Sequence, residues 1–270
     1  METANKYIRE YQSFSSFNTW VRCAMQYEWR YLKRVKIPPG VALVEGSTGH
    51  KALEFNYVQK VSSQVDLPVD DVLDVVSDEW ESRKVEVEDW EGKKPGDLKD
   101  RLVKTVKKYQ KSHAPEIQPV EVESRYDIVV EGVKMRLYMD LVDKSPKIRD
   151  TKFVEKTRSQ NEVDADMQLT IYSYAKGLPF VSMDCVVKSD KNPRVNVIES
   201  RRGDRDFERL EHRIPLYTKS IQTGIFPPAD ISWWGCSKKW CGFWAICEGG
   251  GKRTGRKIFD IKNTTLKEML

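Results

Sequence analysis

"VKMRLYMDLVDKSPKIRDTKFV", residues Val133–Val154, carries the reading of the fold. Its first half, "VKMRLYMDLVD", shows partial two-residue alternation of apolar and polar side chains, the period of a strand with one buried face. The preceding "PVEVESRYDIVVEG" alternates in the same way, and Glu131-Gly132 between them supplies a tight turn, so the two read as a hairpin. "KIRDTKFV" follows as a third strand. Residues two apart on a strand share a face, so Asp150 and Lys152 present a carboxylate and an ammonium side by side. Asp140, on the strand before, can reach the same face. Two carboxylates with an adjacent lysine make a hard, oxygen-rich pocket suited to Mg²⁺ or Mn²⁺, with a cation left over to steer a water or stabilise charge on phosphorus.

Outward from this stretch the pattern turns helical. Phe14, Phe17, Val21, Met25 and Trp29 recur at helical spacing behind Ser13, predicting a helix from Ser13 to about Arg34 that carries Cys23. "GSTGHKALEFNYVQKV" reads as a tight glycine turn feeding a second helix with His50 and Glu54 one turn apart. Helical patterns follow over Val69 to Val85 and Leu98 to Ser112, the latter studded with lysines. Beyond the strands, "DADMQLTIYSYAKGL" is helical, "VSMDCVVKS" and "RVNVIES" are further strands, and Arg205 to Thr223 is a late helix. This order predicts an α/β or α+β domain with a mixed sheet flanked by helices. With no internal repeat and no linker, residues 1–270 read as a single domain.

A chain of 270 residues with 39% hydrophobic content can bury a sizeable core, and 46 basic against 41 acidic residues fit a nucleic-acid partner without demanding one. No apolar run approaches the roughly 20 residues of a membrane span. "METANKYIREYQSF" lacks the apolar centre of a secretory signal, so a cytoplasmic, reducing setting is expected. There, five cysteines are not a disulfide framework, and grouped thiols point to metal. "SWWGCSKKWCGFWAIC", Ser232–Cys247, groups three as Cys236-x4-Cys241-x5-Cys247, one short of the four thiolates that a tetrahedral zinc or a cubane cluster takes. Cys185, in the apolar "VSMDCVV", reads as a core thiol. The tryptophans around the cluster have two readings, shielding it from water or stacking on unpaired bases. "KDRLVKTVKKYQKS" and the terminal "GGGKRTGRK" can bind phosphates or serve as solvated surface.

Taken in order, "SFSSFNTWVRCAMQYEWRYL", "GSTGHKALE", "MRLYMDLVD", "RDTKFVEKT", "QLTIYSYA" and the terminal cysteines resemble the RecB-type branch of the PD-(D/E)XK nucleases. Within it they are similar to the iron–sulfur exonucleases, which include CRISPR-associated RecB-like exonucleases, AddB-type nuclease domains and phage recombination exonucleases. The resemblance covers most of the chain and is weakest between about Val61 and Pro119. It implies a restriction-endonuclease-like sheet and a metal-dependent DNA exonuclease acting on single-stranded ends in recombination, repair or CRISPR adaptation, in a prokaryotic or phage-infected cytoplasm, alongside proteins of those processes. By position it implies that His50, Asp140 and Asp150 hold Mg²⁺ or Mn²⁺ and that Lys152 is the lysine of the D/E-x-K motif. Gln168 and Tyr172 match its Q-x-x-x-Y motif, near substrate or the lysine. Met139 stands where the family usually has proline, and Glu54 is the candidate for a third carboxylate. Cys23 takes the place of the fourth cluster ligand, closing a [4Fe–4S] site, with zinc as the alternative, between N- and C-terminal segments at residues 1–35 and 230–250. The four residues between Cys236 and Cys241 depart from the two usual in the family. The competing expectation is a non-catalytic nucleic-acid- or partner-binding protein whose cluster is structural or redox-sensing.

Overall fold

The computed structural model describes residues 6–247. Its central hairpin joins β1 (Pro119–Val130) to β2 (Val133–Asp143), antiparallel, with Gly132 at φ 78° in the turn where a Cβ would be strained. The β2 face alternates as expected: Met135, Leu137, Met139 and Leu141 are buried. Met139 is wholly inside, so the residue beside Asp140 fills the core while Asp140 points to the other side of the strand. β3 (Lys147–Val154) pairs antiparallel to β2, then parallel to β4 (Phe180–Val187), which pairs antiparallel to β5 (Arg194–Arg201). The result is a five-stranded mixed sheet in the order β1-β2-β3-β4-β5.

A parallel pair needs a crossover. Two helices provide it, labelled here by their place in the chain: α6 (Gln160–Asp164) and α7 (Met167–Lys176). Ser159 and Glu162 form a reciprocal capping box at the start of α6, Asp166 caps α7, and Gly177 at φ 69° ends it. Before the hairpin come α3 (Val41–Ser63), α4 (Val69–Arg83) and α5 (Pro95–Ser112). Their apolar faces, including Val44, Leu53, Tyr57, Val76, Trp80, Leu102 and Tyr109, share one core with Leu141 and Val186 of the sheet. Buried charges are matched: Arg149 donates to Asp143 and Asp184, and Lys188 to Glu45 at 2.7 Å.

The chain divides into two compact units, one of Glu10–Phe14 and Pro38–Leu216, the other of Met1–Arg9, Ser15–Ile37 and Tyr217–Leu270. The sheet and helices α3 to α7 belong to the first. The second holds most of α1 (Phe14–Arg22), α2 (Ala24–Tyr27), a π-helical turn at Glu28–Leu32, the end of α8 (Asp204–Gln222) and a run of turns to Cys247. No helix among the described residues is long and apolar enough to cross a membrane.

Two local expectations fail. The continuous helix from Ser13 breaks at Cys23, whose extended backbone (φ −162°, ψ 107°) separates α1 from α2. The glycine turn before His50 does not exist: Gly46 and Gly49 lie inside the 23-residue α3. Gly49 is there for space, because a Cβ on it would come within 2.3 Å of the Phe153 ring.

Candidate active site and thiol cavity

Helix α3 brings His50 to the sheet where β1, β2 and β3 run side by side. His50 Nδ1 lies 3.6 Å from Asp140 Oδ2, and its ring meets Phe153 edge-on at 5.7 Å. Strands β2 and β3 stay paired from Asp143–Lys147 to Leu141–Arg149. At the next step the Asp140 carboxylate accepts the Thr151 amide at 2.9 Å, which fixes one oxygen beside His50. Burial, opposed by Asp140 and reinforced by Lys152, lowers the His50 pKa and favours the neutral, ligand-competent imidazole.

Asp150 is fully buried, and Lys152 Nζ stands 2.9 Å from its carboxylate, donating to Oδ1. Oδ2 accepts no well-directed hydrogen bond but lies 2.9 Å from the same ammonium, which is its electrostatic partner. Burial, against the pull of Lys152, raises the Asp150 pKa to about 7. For Lys152, burial works against its charge but Asp150 and Asp140 overcome it, so the pKa is raised and the side chain is an ammonium. Lys152 also donates to Gln168 Oε1 at 3.3 Å; Gln168 Nε2 donates to Tyr172 Oη at 2.6 Å, and Tyr172 donates to the Tyr138 carbonyl at 2.6 Å. One turn apart on α7, Gln168 and Tyr172 therefore tie the lysine to β2.

Sequence reasoning missed Glu123. It lies in β1 between the pairs Val122–Leu141 and Ser124–Met139, which sets it opposite Asp140. With His50 and Asp140 it forms a group whose potential ligand atoms all lie within 4.8 Å of one another. Loss of water, then the charges of Asp140 and Glu54, raises its pKa to about 7. Its φ of 46°, uncommon for a non-glycine residue, is visible only in three dimensions. Glu54 lines the same cleft, but Lys51 Nζ holds both of its oxygens at 3.1 Å.

Hard oxygens from Asp140 and Glu123 and a neutral imidazole fit a divalent cation; Asp150, expected as a ligand beside them, offers none of the atoms that converge within 4.8 Å, and its carboxylate lies against Lys152 instead. Carboxylates crowded enough to raise one another's pKa are relieved when a cation joins them.

In the other unit, Cys23, Cys236, Cys241 and Cys247 line one apolar cavity together with Met25, Trp29, Trp233, Phe243 and Trp244. The helix break at Cys23 leaves its sulfur to accept the Ala229 amide at 3.3 Å, and Gln26 Nε2 donates to Cys241 Sγ at 3.1 Å. Such N–H···S bonds support sulfur in its anionic form. Burial raises the Cys241 pKa in the absence of a metal, with the Gln26 bond opposing. Among the described residues no three thiols have sulfurs within 4.8 Å of one another. A single zinc at Zn–S of about 2.3 Å draws its thiolates to roughly 3.8 Å, whereas a cubane cluster spreads them further. Cys185, on β4, is wholly buried, as the sequence led one to expect.

A family model for the PD-(D/E)XK nuclease superfamily matches residues 11–248, so the chain belongs to that superfamily. Members of the superfamily act on nucleic acid and typically use divalent metals such as Mg²⁺. Among solved structures, a putative exonuclease from Eubacterium rectale aligns over 100% of this chain and 98% of its own at 13% identity and TM-score 0.56, a likeness of fold. SSO0001 aligns over 84% of this chain and 95% of its own, at 14% identity and TM-score 0.37. No curated protein matches.

Proposed function

We propose that this chain is a Mg²⁺- or Mn²⁺-dependent deoxyribonuclease that removes nucleotides from DNA ends, single-stranded ends foremost, in prokaryotic or phage recombination, repair or CRISPR adaptation. The observation that carries it is the convergence of His50, Glu123 and Asp140 within 4.8 Å, next in the sheet to a buried Asp150 paired with a lysine held as a cation. Asp140, Asp150 and His50 would hold the metal, with Glu123 as a further carboxylate ligand. Bound there, the cation lowers the pKa of water and offsets charge on the phosphoryl oxygens. Asp140 stays oriented by the Thr151 amide and keeps its second oxygen available. Lys152, charged, stabilises the phosphorane and orients the attacking water rather than deprotonating it. Gln168 and Tyr172 are positioning residues for Lys152 rather than groups that touch substrate. The thiol cavity would hold a [4Fe–4S] cluster on Cys23, Cys236, Cys241 and Cys247, with zinc as the alternative; its apolar walls and N–H···S bonds support thiolate ligation of a metal there.

The test uses end-labelled linear single strands, linear duplex and covalently closed circles with Mg²⁺ or Mn²⁺. Stepwise shortening of linear strands, intact circles and no hydrolysis by Asp150→Ala or Lys152→Ala are expected. Activity that survives both substitutions overturns the site, and cut circles overturn the exonuclease assignment.

A further inference from the structure

Charge is divided unevenly along the chain. Glu10–Phe14 with Pro38–Leu216, which hold the carboxylate site, carry 30 basic and 35 acidic residues. The described residues of the other unit (6–9, 15–37 and 217–247) carry ten Lys and Arg side chains against Glu28 and Asp230 alone. The second unit is thus the more strongly basic of the two, an attraction for phosphate beyond that of the lysine-rich α5 in the first.

The basic unit also exposes indoles. Trp29, Trp233 and Trp244 wall the thiol cavity, but Trp234 and Trp240 do not, and they stand 67% and 58% exposed. Exposed indole area is unfavourable by about 25 cal/mol per Å² unless something covers it. The two rings meet at right angles (88°, centroids 5.5 Å apart), and Trp233 braces Trp234 at 5.6 Å. Gly235 lets that brace lie close, since a Cβ there would fall 2.4 Å from the Trp233 ring. Lys239 Nζ stands 4.8 Å from the centroid of the Trp240 ring, and Lys238 is exposed next to it in the chain.

We propose that Trp234 and Trp240, with Lys238 and Lys239, form a stacking platform for unpaired bases of single-stranded nucleic acid. Two perpendicular rings present faces to two bases, and every base has a π-face, so recognition is indifferent to sequence. The lysines meet the backbone phosphates. A duplex, whose bases are already stacked on one another, offers the rings nothing. The substrate class rests on the nuclease reading, but none of these residues belongs to the carboxylate site.

Binding is therefore measured apart from catalysis, with the full chain in EDTA and a labelled oligothymidylate of about 20 nucleotides, by anisotropy and by tryptophan quenching. Stacking is worth about 1–3 kcal/mol per base, so Trp234→Ala with Trp240→Ala should weaken single-strand binding by roughly 30-fold or more, with duplex binding nearly unchanged. Trp→Phe at both positions should restore most of it. Lys238→Ala with Lys239→Ala should shallow the log–log salt dependence by roughly 1.4, the value for two phosphates of a single strand. Unchanged single-strand affinity in the folded Trp→Ala variant overturns the proposal. So does an equal loss on duplex, or a dimer that this variant dissociates, which would assign the rings to a second copy. Platform failure with Mg²⁺-dependent hydrolysis intact sinks the platform alone; binding without hydrolysis sinks the nuclease reading alone.

Discussion

Asp140, Asp150, Lys152 and Glu123 stand on three neighbouring strands tied by backbone ladders, whereas Cys23, Cys236, Cys241 and Cys247 stand on a helix break and a run of turns. The carboxylates are positioned by elements that fold for their own reasons: a hairpin with an apolar face, a crossover with capped helices, and a 23-residue helix. A cation there would add chemistry to a frame already built. Between Thr223 and Cys247 the described chain has no helix or strand, so a group bound by four thiols would supply order that the backbone ladder does not. On the proposed function, loss of the first site would cost activity and loss of the second would cost structure.

The largest effect expected is at the carboxylates. Asp150→Ala or Lys152→Ala should lower hydrolysis by at least on the order of 10³-fold with the fold kept by circular dichroism, the melt dropping only by what the broken Asp150–Lys152 pair costs. A melt that collapses with the activity would erase the contrast between the two sites. At the thiols, Cys23→Ser should instead cost metal, solubility and melting temperature together. Anaerobically purified wild type should be brown with absorbance near ~400 nm. Colourless protein with stoichiometric zinc, or a Cys23→Ser variant with full metal content, breaks the proposed four-thiol cluster.

The carboxylate site should also declare itself through pH. Asp150 and Glu123 are both raised to about 7, above their unfolded values of about 3.9 and 4.3. The native state therefore holds protons that the unfolded chain has released. The contribution of these two groups to stability is greatest below about pH 4, falls as pH rises to about 7, and adds no further slope above that, while carboxylates held low by ion pairs, such as Asp184 and Glu155, act oppositely at acid pH. The difference in melting between wild type and Asp150→Asn across pH in EDTA should show the Asp150 share of this fall, and saturating Mg²⁺ should flatten it. An identical slope with and without Mg²⁺ would show that no cation binds these groups. Glu123→Gln should weaken Mg²⁺ dependence by about 10-fold, while Glu54→Gln, whose carboxylate is already held by Lys51, should leave it nearly unchanged.

How much of this was legible without coordinates follows from the range of the interactions. The strands around Glu131-Gly132, the third strand at Lys147–Val154 and the shared face of Asp150 and Lys152 depend on two-residue alternation and a turn, which are local. Glu123 was not legible: its place opposite Asp140 comes from hairpin register, and one residue of slip would have turned it away. The break at Cys23 was hidden because apolar residues continue at helical spacing on both sides of it. Gly46 and Gly49 read as a turn because glycine lowers helix propensity by about 1 kcal/mol, and the reason to accept that cost, the Phe153 ring, lies a hundred residues away in the chain.

Gly49→Ala tests that last point, and its expected effect is the smallest. Alanine is the better helix former, so propensity alone predicts a gain of about 1 kcal/mol. Packing predicts the reverse, because the new methyl would overlap the Phe153 ring at 2.3 to 2.6 Å and the ring must rotate or α3 must lift. Overpacking of this kind costs about 1–3 kcal/mol, which outweighs the propensity gain. Phe153 also packs edge-on against His50, so its displacement shifts the imidazole from Asp140. The variant should melt a few degrees lower and need more Mg²⁺ for half-maximal hydrolysis. Gly46→Ala, in the same helix with nothing within 4 Å of the added carbon, should be stabilised and keep the wild-type metal requirement. If the two alanines behave alike, close contact with Phe153 is not what selects glycine at position 49, and α3 is not what sets His50 against the sheet.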